Sequence, residues 1–165
     1  MASDSSERKV VIAVLLTSTF LTMLGVAGVL RGAYDLSLEP LPEDVRELFD
    51  PDADVTEAEI QLLEAQVSNP YRRPMAAANV VVSALVLIGS FLLSWRRGLA
   101  QWWIKQAVAA KLIWIVAYTA TLVHHIKLTL RPTPVEQLGV GQSEIIGGVV
   151  FVGLLSAGMH VAGAY

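Results

Sequence analysis

Hydrophobic residues are concentrated in four long runs along the chain, which cover residues 10–30, 75–95, 105–127 and 145–165. A run such as 10–30 has 21 residues. At ~1.5 Å of rise per residue, such a helix matches the roughly 30 Å hydrocarbon core of a bilayer. The runs are continuous rather than alternating, which favours helices over the strands of a β-barrel. The pattern therefore predicts an all-α polytopic membrane protein, a four-transmembrane-helix bundle forming one domain over residues 1–165.

The composition supports a protein that lies in the lipid bilayer. Hydrophobic residues make up 54% of the chain and charged residues 16%, against about 25% charge in soluble domains. The net charge of −3 offers no basic surface, so a nucleic-acid partner is not expected. The absence of cysteine excludes disulfides, thiolate catalysis and iron–sulfur clusters.

The connections between the runs predict the topology. The short turn Arg96-Arg97-Gly98 joins the second and third runs, so these two helices are expected to be antiparallel neighbours. Lysines and arginines near the ends of the runs are equally numerous on the two sides, which leaves the positive-inside rule undecided. Because the short basic turn resists translocation, we expect a multi-pass protein with both termini in the cytoplasm.

The segment 31–74 is a long acidic connection, and we expect it to lie outside the membrane. It carries eleven acids and four arginines, a net charge of −7. Two short helices are predicted within it, over 42–49 and 56–67. The second begins with a capping-box pattern, Thr56 followed by Glu59.

Acidic residues at 50, 52 and 54 match the first half of a calcium-binding EF-hand loop. The match fails at the sixth position, Val55, where the loop requires glycine, and at the twelfth, Gln61, where it requires glutamate. A solvated acidic turn is therefore favoured, and no metal site is predicted.

The third run contains the main candidate for a functional site. Lys111, Trp114, Tyr118, Thr121 and His125 follow one another at intervals of three and four residues, which places them along one stripe of a helix. This polar stripe is expected to face the bundle interior or a partner. Its residues either pack the bundle or contact a small molecule, a lipid or a quinone.

The histidines suggest an ion pair rather than a haem site. His124 and His125 should lie at a depth similar to that of Glu144, across the connection to the fourth run, and a pair between them is predicted. His160 should lie roughly 20 Å deeper than His125, so the two cannot ligate one haem within a single chain. No cofactor is predicted.

Small residues in the fourth run predict close helix packing. Gly153 with Ala157, and Gly158 with Ala162, are small-xxx-small pairs. Glycines recurring every five residues from Gly148 move around the helix, so contacts on more than one side are expected. Such a helix is typical of an interface with a partner membrane protein or with a second copy of the chain.

Two functions are consistent with these features. The scarcity of carboxylates in the runs and the small-residue fourth helix favour a non-catalytic accessory or structural subunit that packs against partner membrane proteins. The alternative is a small-ligand, lipid or quinone site lined by the third helix, in a transporter or redox assembly. Because no catalytic motif is present, an enzymatic function is less favoured than these two, and no catalytic residue is assigned.

Overall fold

The computed structural model of the protein describes residues 2–38, 55–57, 59–61, 63, 68–95, 98–129 and 141–164. It contains four long helices: α1 (Ala2–Ser37), α2 (Arg72–Ser94), α3 (Ala100–Thr129) and α4 (Gln142–Ala164). Each is long and apolar enough to cross a membrane, and the described part of the chain has no β-strand. The prediction of an all-α four-helix membrane bundle is confirmed.

The first helix is longer than the apolar run that predicted it. It has 36 residues and continues through Arg31 to Ser37, because the sequence has no proline before Pro40 to stop it. The segment predicted as the acidic connection, 31–74, therefore begins with helical residues as far as Ser37. Arg31 is a helical residue, and its position relative to the other helices is set by how α1 packs.

Each helix packs against the helices that precede and follow it in the chain, and α1 also contacts α4, which completes the bundle. The contact between α1 and α2 is the largest of the four and that between α1 and α4 the smallest. The main buried apolar cluster joins three helices. It consists of Leu21, Val86, Ile104, Ala107 and Val108.

Glycines on one face of α1 bring its backbone close to α2. A Cβ atom built on Gly25 would lie 2.6 Å from Leu87 Cγ, and one on Gly32 would lie 2.7 Å from Val80 Cγ2. Gly28, between them, faces Ser83. Only small residues allow such an approach between membrane helices. The glycines therefore fix the register of α1 against α2.

The fourth helix contacts α1 near its C-terminal end. A Cβ atom on Gly163 would lie 2.8 Å from Leu21 Cδ2 and 3.1 Å from Phe20 Cδ1. Because α1 and α4 share the smallest contact of the four pairs, direct contact between these two helices is limited.

The predicted capping box in the acidic connection is confirmed. The backbone N–H and the hydroxyl of Thr56 both donate to Glu59 Oε2 at 2.9 Å, and the N–H of Glu59 donates to Thr56 Oγ1 at 3.4 Å. Helical residues follow at 57, 59–61 and 63. The short helix predicted over 42–49 and the acidic positions 50, 52 and 54 lie outside the described residues.

These hydrogen bonds should be visible in the titration of Glu59. The backbone N–H of Thr56, and then its hydroxyl, hold the pKa of Glu59 below its ordinary value. The capping interaction is therefore complete above the ordinary pKa of glutamate and is lost as the pH falls through the lowered value. Thr56→Ala removes the hydroxyl but keeps the backbone N–H, so it should raise the pKa of Glu59 part of the way to the ordinary value, whereas Thr56→Ser should leave it low. A carboxyl NMR titration measures both, and an identical titration in Thr56→Ala would contradict the contact.

Candidate functional site

A cavity of about 570 Å³ lies between the four helices. Its walls come from α1, α3 and α4, with Asn79 contributed by α2. Along α4 the wall extends from Ile145 to His160, which corresponds to ~22 Å of helix. The volume falls within the usual range of small-molecule sites, about 300–1,000 Å³.

Lys111 supplies a buried positive charge on the wall of this cavity. The side chain is only 4% exposed, although it lies in the middle of a membrane helix. Its Nζ donates to Asn79 Oδ1 and, at 2.8 Å, to Ser83 Oγ. The same atom lies 4.4 Å from the centroid of the Trp114 ring, a cation–π contact. The ammonium group is thus held by uncharged oxygens and an aromatic face.

The acceptors for Lys111 lie on a polar face of α2. Asn79, Ser83 and Ser90 are buried at intervals of four and seven residues, which keeps them on one side of the helix. Asn79 Nδ2 donates to the carbonyl oxygen of Gly28 at 3.0 Å, and Ser83 Oγ donates to Asn79 Oδ1 at 3.2 Å. Asn79 therefore joins α1, α2 and α3 at one point.

Sequence reasoning missed Asn79 and Ser83 because both are uncharged and lie within an apolar run. The signal was present: uncharged polar residues recur on one helical face of an otherwise apolar run. Their role as acceptors became evident only when α3 placed Lys111 beside them.

An aromatic pair forms a flat part of the cavity wall. The rings of Trp114 and Tyr118 are stacked with 5.1 Å between their centroids and an angle of 16° between their planes. Trp114 Nε1 donates to the carbonyl oxygen of Met75 at 2.9 Å, which anchors the pair to α2. The orientation of the wall is thus fixed by a hydrogen bond between helices.

Two further ionisable side chains with nitrogen atoms lie on the wall, Arg31 of α1 and His160 of α4. His160 is 4% exposed, and its Nδ1 lies 2.8 Å from the carbonyl oxygen of Ser156. Because a carbonyl only accepts, Nδ1 carries the hydrogen. Nε2 is buried without a hydrogen-bond partner. The wall has two cationic side chains and no carboxylate among the residues that the structure describes.

The predicted polar stripe of the third helix divides into two parts. Lys111, Trp114 and Tyr118 line the cavity. The hydroxyl of Thr121 instead donates within its own helix, to the carbonyl oxygens at positions 117 and 118. His125 is buried, and its Nε2 lies 3.4 Å from the hydroxyl of Thr129. Neither Thr121 nor His125 is among the residues that line the cavity.

The residues of the predicted ion pair have other contacts. Glu144 Oε2 accepts from the backbone N–H of Gly141 at 3.1 Å, at the start of α4. His124 is exposed, and His125 lies against Thr129 as described above. An ion pair between Glu144 and these histidines stays a prediction.

The predicted packing residues of α4 lie on different sides of the helix. A Cβ atom on Gly153 would lie 2.6 Å from Thr119 Oγ1, so Gly153 brings α4 close to α3. No described atom lies within 4 Å of the same position on Gly158. Ala157 is half-buried and Ala162 is exposed. Gly158 and Ala162 therefore face away from the other three helices.

The four apolar helices define the class of protein: a multi-pass membrane protein. The chain matches no protein-family model, no curated protein and no solved structure in comparisons of its sequence and fold. Its function is therefore argued from the cavity and its walls.

Proposed function

We propose that this protein binds a small amphipathic molecule, such as a lipid or a quinone, within the membrane. The observation that carries the proposal is the position of Lys111, a buried cation on the wall of a cavity between four transmembrane helices. An ionisable residue inside a membrane span is costly, and such residues ordinarily mark a binding or transport path. This function was the alternative in the sequence interpretation, and the cavity now favours it.

The distribution of groups on the wall supports the same conclusion. Small-molecule sites are mostly apolar, with a few convergent polar groups that orient the ligand. Here Lys111, Asn79 and His160 are the buried polar groups, and most of the remaining wall is aliphatic or aromatic. Gly148 adds free space, since a Cβ atom there would meet no described atom within 4 Å.

The arrangement of α1 and α4 supports entry from the bilayer. Of the four pairs of helices that pack together, these two share the smallest contact, and both contribute to the cavity wall. Arg31 of α1 is exposed and lines the cavity, so it lies at the opening. A molecule dissolved in the lipid would enter between the two helices.

Filling the cavity should remove the ligand without disturbing the outside of α4. Gly148→Leu places a side chain in the cavity, whereas Gly147→Leu places the same side chain on an exposed position that is not part of the wall. Mass spectrometry of small molecules retained by each purified protein should show at least a tenfold loss in Gly148→Leu alone. Equal retention in both variants, or no retained molecule in the wild type, would refute the proposal.

The outer surface of α4 supports a second candidate, an accessory subunit that packs against a partner membrane protein or a second copy. In the apolar 18-residue stretch of α4, only 6% of the residues are buried, against 33% in that of α2. A Cβ atom built on Gly158 would meet no described atom within 4 Å. The same preparations test this candidate, because a stoichiometric partner protein would support it and a monomeric chain would exclude it. For both candidates we place the two termini in the cytoplasm.

A further inference from the structure

We infer that the ligand of the cavity is an anion: a carboxylate or phosphate group, carried on an apolar body, that lies between Arg31 and Lys111. This inference rests on the proposed function and names the chemical class of the ligand. It adds Arg31 to the site as a second cationic contact.

The first argument is the balance of charge. Lys111 is 4% exposed, and the oxygens that it contacts belong to the uncharged side chains of Asn79 and Ser83. The described wall adds the cation Arg31 and no acidic residue. A buried charge within a membrane is costly unless an opposite charge accompanies it. An anionic ligand supplies that charge, whereas a metal cation would be repelled.

The second argument is the number of hydrogen-bond donors. An ammonium group has three N–H donors, and Asn79 and Ser83 accept two of those of Lys111. The third N–H has no acceptor oxygen among the described residues and can donate to a ligand. A guanidinium group such as that of Arg31 presents paired donors that match the two oxygens of a carboxylate or phosphate.

The packing of α1 places both cations on the wall of the same cavity. A Cβ atom on Gly28 would lie 3.3 Å from Lys111 Nζ, so this part of α1 adjoins the ammonium. Arg31 follows three residues later, ~4.5 Å further along the helix, and both residues line the cavity. The contact between Gly28 and Ser83 thus places the basic end of the apolar run beside Lys111.

The third argument is an unsatisfied polar atom. His160 Nε2 is buried without a partner, and its side chain is part of the cavity wall. Most buried polar atoms in proteins have a hydrogen-bond partner. Because Nδ1 carries the hydrogen, Nε2 of the neutral ring is an acceptor, and it would pair with a donor on the head group, such as the hydroxyl of a singly protonated phosphate.

The rest of the wall requires an apolar body on the ligand. Towards the start of α4 the wall consists largely of Leu122, Ile145, Val149 and Val152. The stacked rings of Trp114 and Tyr118 lie between this part and Lys111 on α3. A free inorganic anion would leave this surface uncovered, and a neutral amphiphile would bring no opposite charge to either cation.

The test compares ligands that differ in charge but share an alkyl chain. The full chain, in nanodiscs of uncharged phosphatidylcholine, is titrated with palmitate, hexadecyl phosphate, hexadecanol and inorganic phosphate, with the thermal unfolding midpoint as readout. Palmitate and hexadecyl phosphate should each bind at least tenfold more tightly than hexadecanol. Inorganic phosphate should produce no shift. The tighter of the two anions identifies whether the head group is a carboxylate or a phosphate.

Charge-removing variants locate the anion. Arg31→Gln and Lys111→Met should each weaken binding of the preferred anion at least tenfold. Matched controls are Arg73→Gln on α2 and Lys127→Gln on α3, which remove exposed charges that are not part of the wall and should leave binding unchanged. Arg31→Gln is an independent test, since Arg31 is exposed and lies at the opening.

The outcomes separate the inference from the proposed function. Equal affinity for palmitate and hexadecanol, or equal binding by Arg31→Gln and Arg73→Gln, would contradict an anionic head group. Either result would still be consistent with a cavity that binds amphiphiles. Binding of inorganic phosphate as tight as that of hexadecyl phosphate would contradict the claim that the ligand requires an apolar body. If no amphiphile shifts the wild-type midpoint, both the inference and the proposed function are wrong.

Discussion

Gly28→Ala should lower the free energy of unfolding by about 1–3 kcal/mol, the usual cost of inserting a methyl group into a closely packed interface. The new Cβ atom would overlap the hydroxyl of Ser83 and lie 2.9 Å from Ser83 Cβ. A hydroxyl can rotate away, but a Cβ atom is fixed to its backbone. The helices α1 and α2 must therefore separate, which also stretches the hydrogen bond from Asn79 to the Gly28 carbonyl.

The matched control for Gly28→Ala is Gly158→Ala on α4. A Cβ atom at position 158 meets no described atom within 4 Å, so this variant should be at least as stable as the wild type. Unfolding in mixed micelles with increasing sodium dodecyl sulfate measures both variants. Equal stability of the two proteins would show that α1 and α2 do not approach as closely as the structure indicates.

Asn79→Leu should lower the free energy of unfolding by about 2–3 kcal/mol, because it removes a hydrogen bond to a buried charged group. Leucine has nearly the shape of asparagine, so the main loss is polar. Lys111 loses its acceptor at Oδ1, and the carbonyl oxygen of Gly28 loses its donor. The ammonium remains buried with Ser83 as its remaining hydrogen-bond acceptor in the described bundle.

A double-mutant cycle isolates this interaction. Lys111→Met alone should be neutral or stabilising, since an apolar side chain of similar volume replaces a buried charge. Combined with Asn79→Leu, it should recover most of the lost stability, with a coupling energy of about 1–3 kcal/mol. The same unfolding assay measures all four proteins. Strictly additive effects would show that Asn79 does not support Lys111.

The four spans were predictable because bilayer thickness and the exclusion of charge from lipid act directly on sequence. The capping box of Thr56 and Glu59 was predictable for a similar reason, since its contacts are local. Both depend on residues close together in the chain. They require no knowledge of which helix faces meet.

The cavity depends on contacts between distant residues, and sequence reasoning reached it only in part. A basic residue at the end of an apolar run usually marks the membrane surface, and Arg31 was interpreted in that way. The packing of Gly28 against Ser83 instead places the following turn beside Lys111. Likewise, Asn79 became a partner of Lys111 only through the packing of α2 against α3.

The register of α1 against α2 has a consequence for the lipid around the protein. Gly25 faces Leu87, so the centre of the second apolar run, at Leu85, lies level with position 27 of α1. The centre of the first run is Phe20, seven residues away, which corresponds to an axial offset of ~10 Å.

A flat bilayer cannot match both helices at once, so the helices tilt or the bilayer thins locally, at a fraction of a kcal/mol for each ångström of mismatch. The bilayer thereby exerts an axial force on the contact between α1 and α2. Since that contact positions Arg31 and Asn79, the acyl-chain length of the host membrane becomes a control on the geometry of the cavity.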